Sequence, residues 1–129
     1  MGGSDDPVPA DELPCPCCGF LTLERYYGSY VICPVCDWED DQVQLANPTS
    51  EGGANGPSLA QAQVEALAAH PLEQEFAHGF HRGPRWRPLN AGEIATADRA
   101  KAIRHWHRQG ILAESDAYWC AASPADDRA

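Results

Sequence analysis

The sequence predicts a small α+β domain, and three observations carry that prediction. Two C-x2-C turns, Cys15 to Cys18 and Cys33 to Cys36, stand fourteen residues apart, which is the length a two-stranded hairpin needs. Between them, Phe20 to Glu24 and Tyr30 to Ile32 read as short strands around a turn at Gly28. Further on, Ser58 with Gln61, and Asn90 with Glu93, make two helix-start signatures, each followed by apolar residues at helical spacing.

Taken in order, residues 1–13 mix Gly, Asp and Pro with little apolar content and read as a flexible leader. Residues 14–122 read as one domain, with a ribbon over 14–46 and a helical part over 57–122, and residues 123–129 as a frayed tail. A 129-residue chain buries roughly two-thirds of its unfolded surface, enough for one core. After the second C-x2-C turn, Val43 and Leu45 give a brief apolar alternation, and Asn47 to Pro57 is a Gly/Asn/Pro loop. The first helix runs through Leu59, Val64 and Leu67 to His70, where Pro71 stops it. Pro71 then opens a second short helix that ends at Gly79, and Phe80 to Pro88 is irregular. A third helix spans 91–109, with Ile94, Ala97 and Ile103 on its apolar face and Gly110 as its stop. Ile111, Leu112, Tyr118 and Trp119 are expected to pack back onto it, and no internal repeat is evident.

Four sulfur ligands in two C-x2-C turns deliver a tetrahedral donor set of the kind zinc prefers, so Cys15, Cys18, Cys33 and Cys36 are assigned to one structural Zn2+. The competing reading is two disulfides. The start of the chain has neither the basic nor the apolar region of a secretory signal, which favours a reducing cytoplasm and hence a metal. Pro16 presets the first turn, and Gly19 allows the backbone conformation that follows it. A closed set of four thiolates leaves no open coordination position, so the metal is expected to be structural and no catalytic residue is assigned. Cys17 is surplus to the tetrahedron, either a space-filling thiol or a reactive one beside the metal; Cys120 is given no role.

Charge bounds the partner. The net charge is −10, and residues 1–60 carry ten acids against Arg25 alone, a balance of −9. Such a chain repels a phosphate backbone and either favours a basic partner or is simply soluble. Trp38, flanked by Asp37, Glu39, Asp40 and Asp41, reads either as an acidic docking surface with an aromatic anchor or as a solvated face beside a buried ring. The candidate partner-binding residues are therefore Trp38, Glu39, Asp40 and Asp41. Arg82, Arg85 and Arg87, interleaved with Phe80, His81 and Trp86, offer a nucleic-acid contact or neutralise the acidic first half. The five histidines lack ligand-like grouping, and no apolar run is long enough to cross a membrane.

The run CPCCGFLTLERYYGSYVICPVCDWEDDQVQLANP, followed by GGANGPSL and its helix, resembles the cysteine-rich CPCC family of small bacterial proteins. The motifs CPCCG, ICPVC, WEDD and NGPSL carry the resemblance in combination, from Cys15 to about Pro88. It implies a zinc ribbon with a helix and no established enzymatic activity. It also implies an association with toxin–immunity loci, and hence a protein that neutralises a toxin domain by binding it. The 91–109 helix and the tail with Tyr118 and Trp119 lie beyond the resemblance.

Overall fold

The computed structural model describes residues 12–120, so the expected tail over 123–129 and all but the end of the expected leader lie outside the described residues. The order is β1 (Glu12–Pro14), β2 (Leu21–Glu24), α1 (Gln42–Ala46), α2 (Leu59–Ala69), β3 (Phe76–Ala77), β4 (Phe80–His81), α3 (Ala91–Ile103) and a short 3-10 turn, Glu114–Asp116. Strands pair as two antiparallel hairpins, β1 with β2 and β3 with β4. This is the α+β class the sequence predicts.

The expected pairing of the strands is corrected. Phe20 to Glu24 does not run against Tyr30 to Ile32. Instead β2 turns back on β1, with Glu12 opposite Glu24 and Leu13 opposite Leu23. Glu12 and Leu13 thus belong to a strand and not to the leader, and Leu13 and Leu23 are both buried. Each C-x2-C turn sits at the tip of its own hairpin, because Ile32 bridges Glu39 and the Tyr30 and Asp40 amides donate to Asp40 and Val31 carbonyls. The chain can turn away between the two hairpins because Arg25, Gly28 and Tyr30 all take left-handed backbone conformations.

Two six-residue units also repeat, contrary to expectation. In Cys15-Pro16-Cys17-Cys18-Gly19-Phe20 the Gly19 N–H donates to the Cys15 carbonyl (2.8 Å) and the Cys15 N–H to the Phe20 carbonyl (2.9 Å). In Cys33-Pro34-Val35-Cys36-Asp37-Trp38 the Asp37 N–H donates to Cys33 (2.9 Å) and the Cys33 N–H to Trp38 (2.8 Å). The fifth residue is left-handed in both, Gly19 at φ 82° and Asp37 at φ 68°.

The acidic segment after the second unit is the main departure in this half. Asp41 is the N-cap of α1, its Oδ1 accepting from the Val43 and Gln44 amides at 2.8 and 3.1 Å. That cap turns the expected Val43/Leu45 alternation into a helix. Its other oxygen accepts from the Ala54 N–H at 2.9 Å, which pins the 51–57 loop. Gln44 is fully buried and ties the same loop through the Ser50 and Pro57 carbonyls.

The Ser58–Gln61 capping box starts α2 as expected, although Val64 points outward. The expected helix from Pro71 to Gly79 is replaced by the β3–β4 hairpin. His78 and Gly79 are consecutive left-handed residues, φ 53° and 88°, which is the signature of a two-residue type I′ turn. The Asn90–Glu93 box starts α3, but that helix stops at Ile103 and not at 109. Past it the backbone is captured: Ser50 Oγ donates to the His105 carbonyl, and the Asn47 amide side chain exchanges two bonds of 2.9 Å with Arg108. Ile103 is exposed, and Ala97 is the buried residue of α3. Ile111 and Trp119 return toward α1 and Tyr27, with the Ile111 N–H donating to the Gln42 carbonyl and the Trp119 ring edge-on to Tyr27.

Asp41→Ala removes a helix cap and strands buried donors, so it is expected to lower stability by about 2 to 4 kcal/mol. Glu39→Ala is expected to change it by less than about 0.5 kcal/mol in the same urea titration. Equal losses in the two variants would contradict the buried placement of Asp41.

Candidate metal centre

Within each turn, the placement of its two sulfurs is local. Each C-x2-C turn is closed by its own backbone bonds, so its two thiols project to one side of the turn. The two turns then face each other. Cys15 Sγ lies 3.6 Å from Cys36 Sγ, Cys18 Sγ lies 3.8 Å from Cys33 Sγ, and all four sulfurs fall within 4.8 Å of one another. A tetrahedron with metal–sulfur bonds of about 2.3 Å has edges of about 3.8 Å, so the set fits a single zinc-sized ion. All six cysteines are free thiols, and the two-disulfide reading is not what the structure shows. Among the described residues this is the one group of three or more candidate ligand side chains.

Burial and the neighbouring sulfurs push the Cys15 thiol well above its ordinary value. Four thiols packed this closely ionise together only with a cation among them, so metal uptake is coupled to proton release. Around the sulfurs, Thr22 Oγ1 donates to Cys33 Sγ at 3.1 Å and the Val35 N–H donates to the same atom at 3.4 Å. Thr22 was not foreseen as a functional residue; its place four residues past the first turn becomes meaningful only once β2 folds back.

The first turn is clamped by residues far along the chain. The Pro16 carbonyl accepts from Gln63 Nε2 (2.9 Å) and Trp86 Nε1 (3.2 Å), the Pro14 carbonyl from the Tyr27 hydroxyl (2.7 Å), and the Cys18 carbonyl from Arg82 Nε (3.0 Å). Arg82 also donates to the carbonyls of His70, Pro71 and Gln74, closing the C-terminal end of α2, and stacks 4.3 Å over the Phe20 ring.

The other candidate residues fall out differently from expectation. Trp38, Asp40 and Asp41 are buried, so the four-residue acidic docking surface does not exist as such. Asp40 Oδ2 accepts from the Gly28 N–H, the Ser29 N–H and the Ser29 hydroxyl at 2.6 to 3.0 Å, holding the turn between the two hairpins. Glu39 stays half-buried, its backbone paired with the Asn55 side chain. The arginines are corrected too. Arg82 is committed to carbonyls, and Arg87 forms a two-pronged pair with Glu93 at 2.8 Å. Burial resists the charge on Glu93, but Arg87 and the Asn90 backbone hold its pKa below the usual carboxylate range. Arg85 alone is mostly exposed, 3.6 Å from Glu114. Among the described residues these pairs lie within the second half, and they leave no three-arginine face for phosphate.

Cys17 is buried and lines the same groove as Cys36, and Cys120 is half-buried. His70 and His78 stack edge-on at 5.9 Å, while His105 Nε2 meets the Glu51 carbonyl at 2.7 Å. No helix among the described residues is long and apolar enough to cross a membrane.

A profile of the family described as Cysteine-rich CPCC matches residues 13–82, and the chain belongs to that family. No curated protein matches the chain. The matched segment ends at Arg82, so it holds both turns, α2 and the arginine that ties the first turn to the end of α2.

Two outcomes test the centre. Binding free energies of about 10 to 16 kcal/mol for four-ligand zinc sites equal or exceed the stability of an ordinary domain, about 5 to 15 kcal/mol. Stripping the metal with a strong chelator under reducing conditions should therefore abolish the near-ultraviolet circular dichroism of the buried tryptophans, and Thr22→Val should weaken metal affinity about tenfold. An unchanged spectrum after complete metal removal refutes the first expectation. Separately, a Cβ on Gly19 would collide with the Trp86 ring at a left-handed residue. Gly19→Ala should cost about 3 kcal/mol, whereas Asp37→Gly at the equivalent position should cost less than about 1 kcal/mol.

Proposed function

We propose that the chain is a non-enzymatic, zinc-stabilised acidic binding protein of the cytoplasm that neutralises a cognate toxin by direct binding. The observation that carries the binding role is the charge: −10 overall, with −9 in residues 1–60. Even with Asp40 and Asp41 turned inward, Glu12, Glu24, Asp37 and Glu51 remain exposed in that half. A surface of one sign speeds encounter with a basic partner and discriminates against acidic ones. Tyr26, Tyr30, Val31 and Ile32, four large apolar side chains within seven residues and each more than half exposed, add the kind of contact area a protein partner uses.

Zinc as the ion is supported by the donor set and by sulfur spacings near the tetrahedral value. Four thiolates fill the coordination sphere, which supports a metal that builds the fold over one that meets a substrate. The toxin as partner rests on the association with toxin–immunity loci that the resemblance to the cysteine-rich CPCC family implies, and a basic toxin domain is the partner that the charge would attract.

Tagged full-length protein recovered from its host at moderate salt should carry one basic protein in near-equal amount. That protein, expressed alone, should arrest growth, and co-expression should relieve the arrest. Recovery of the chain alone, or with nucleic acid, overturns the reading; a stoichiometric partner with no toxicity keeps the binding role and removes the toxin.

A further inference from the structure

An open groove of about 680 Å³ lies between the second C-x2-C turn and α2, within the range of about 300 to 1,000 Å³ found for ligand-holding clefts. Trp38 belongs to the turn side, and Ala62, Ala66 and Ala69 to the α2 side. Spaced four and three apart, the alanines share one helical face, and their small side chains let another backbone approach. Asp37 on the turn and Glu65 on the helix are both exposed, and no lysine or arginine lines the groove.

The Trp38 ring is almost wholly buried and walls the turn side of the groove. Cys36 also lines the groove, and a metal held by four thiolates leaves negative charge there.

We propose that this groove seats an extended, lysine- or arginine-bearing segment of the partner protein, its cationic side chain held between Asp37 and Glu65 and its backbone lying along the small alanine face of α2. This rests on the binding role argued above and moves the contact surface from the acidic run at 38–41 to the cleft beside it. The partner chemistry follows from charge: two carboxylates and a thiolate-bound metal favour a cation and oppose an acidic or phosphate-bearing ligand.

The test is a titration of the metal-loaded full chain, followed by 1H–15N NMR, with the capped peptide acetyl-Ala-Lys-Ala-Arg-Ala-amide. Saturable shifts are expected at the Trp38 indole N–H and at the amides of Ala62 to Ala69, with none from acetyl-Ala-Glu-Ala-Glu-Ala-amide. The pair Asp37→Asn with Glu65→Gln should weaken binding about fivefold, while the charge-matched pair Glu24→Gln with Asp98→Asn should leave it within about twofold. Asparagine tolerates the left-handed backbone at 37, and retained metal stoichiometry confirms folding. Absence of saturable shifts, shifts scattered over other acidic surfaces, or equal effects of the two pairs overturns the proposal. A stoichiometric partner whose affinity ignores Asp37 and Glu65 would sink the groove and leave the binding role standing. Selective peptide binding with no partner recovered would do the reverse.

Discussion

The rest of the structure depends on the junction of the two cysteine turns. Regular structure here is scant: the hairpin strands are two to four residues long, and α3 buries only Ala97. Short two-stranded hairpins are marginal in water on their own. What holds them is the four-sulfur cluster, which fixes residues 15–18 against 33–36, and the donors that seize the carbonyls of the first turn. A tight turn leaves carbonyls without partners, and burying them unsatisfied would cost about 1 to 3 kcal/mol each. Gln63, Trp86, Tyr27 and Arg82 remove that cost, and in doing so they bring α2 and the segment after β4 onto the metal site. The four-sulfur cluster joins the turns, and the turns' carbonyls order the remainder.

What the sequence shows and hides follows from the range of each interaction. The four ligands are legible because C-x2-C chemistry is complete within four residues, and both long helix starts are legible because a capping box spans three. The end of α3 is not. It is set by Asn47, sixty-one residues from the Arg108 backbone it captures, and no local stop signal at 104 announces this. The His78–Gly79 turn reads as a helix stop because glycine serves either role; the left-handed histidine decides it.

Asp40, Asp41 and Arg82 mislead for one shared reason. Charged side chains in a row suggest a solvated or docking surface, since a buried charge is costly. Here backbone groups partner Asp41 and Arg82 and one oxygen of Asp40, whose Oδ1 is buried without a partner. Asp40 and Asp41 between them accept five backbone amides and a hydroxyl, and Arg82 donates to four carbonyls. Loops rich in Gly and Pro expose many unpaired backbone groups, and short ionic side chains satisfy several at once. The charges that look available for a partner are thus the ones the loops consume, and the acids left over, Asp37 and Glu65 among them, are those outside the obvious run.

The repeated six-residue unit sharpens that distinction, because two turns of the same backbone have unlike surroundings. In the first, Pro16, Cys17 and Cys18 are buried and the left-handed position is glycine, since the Trp86 ring occupies the space a side chain would need. In the second, Pro34 is exposed, Val35 and Cys36 are half-buried, and the left-handed position carries Asp37, facing solvent. A residue other than glycine in that conformation carries strain, which asparagine and aspartate bear best. The same geometry is therefore filled for packing on one side and left open with a carboxylate on the other. The asymmetry marks the first turn as the anchor of the fold and the second as the face of the metal site that remains free to meet another molecule.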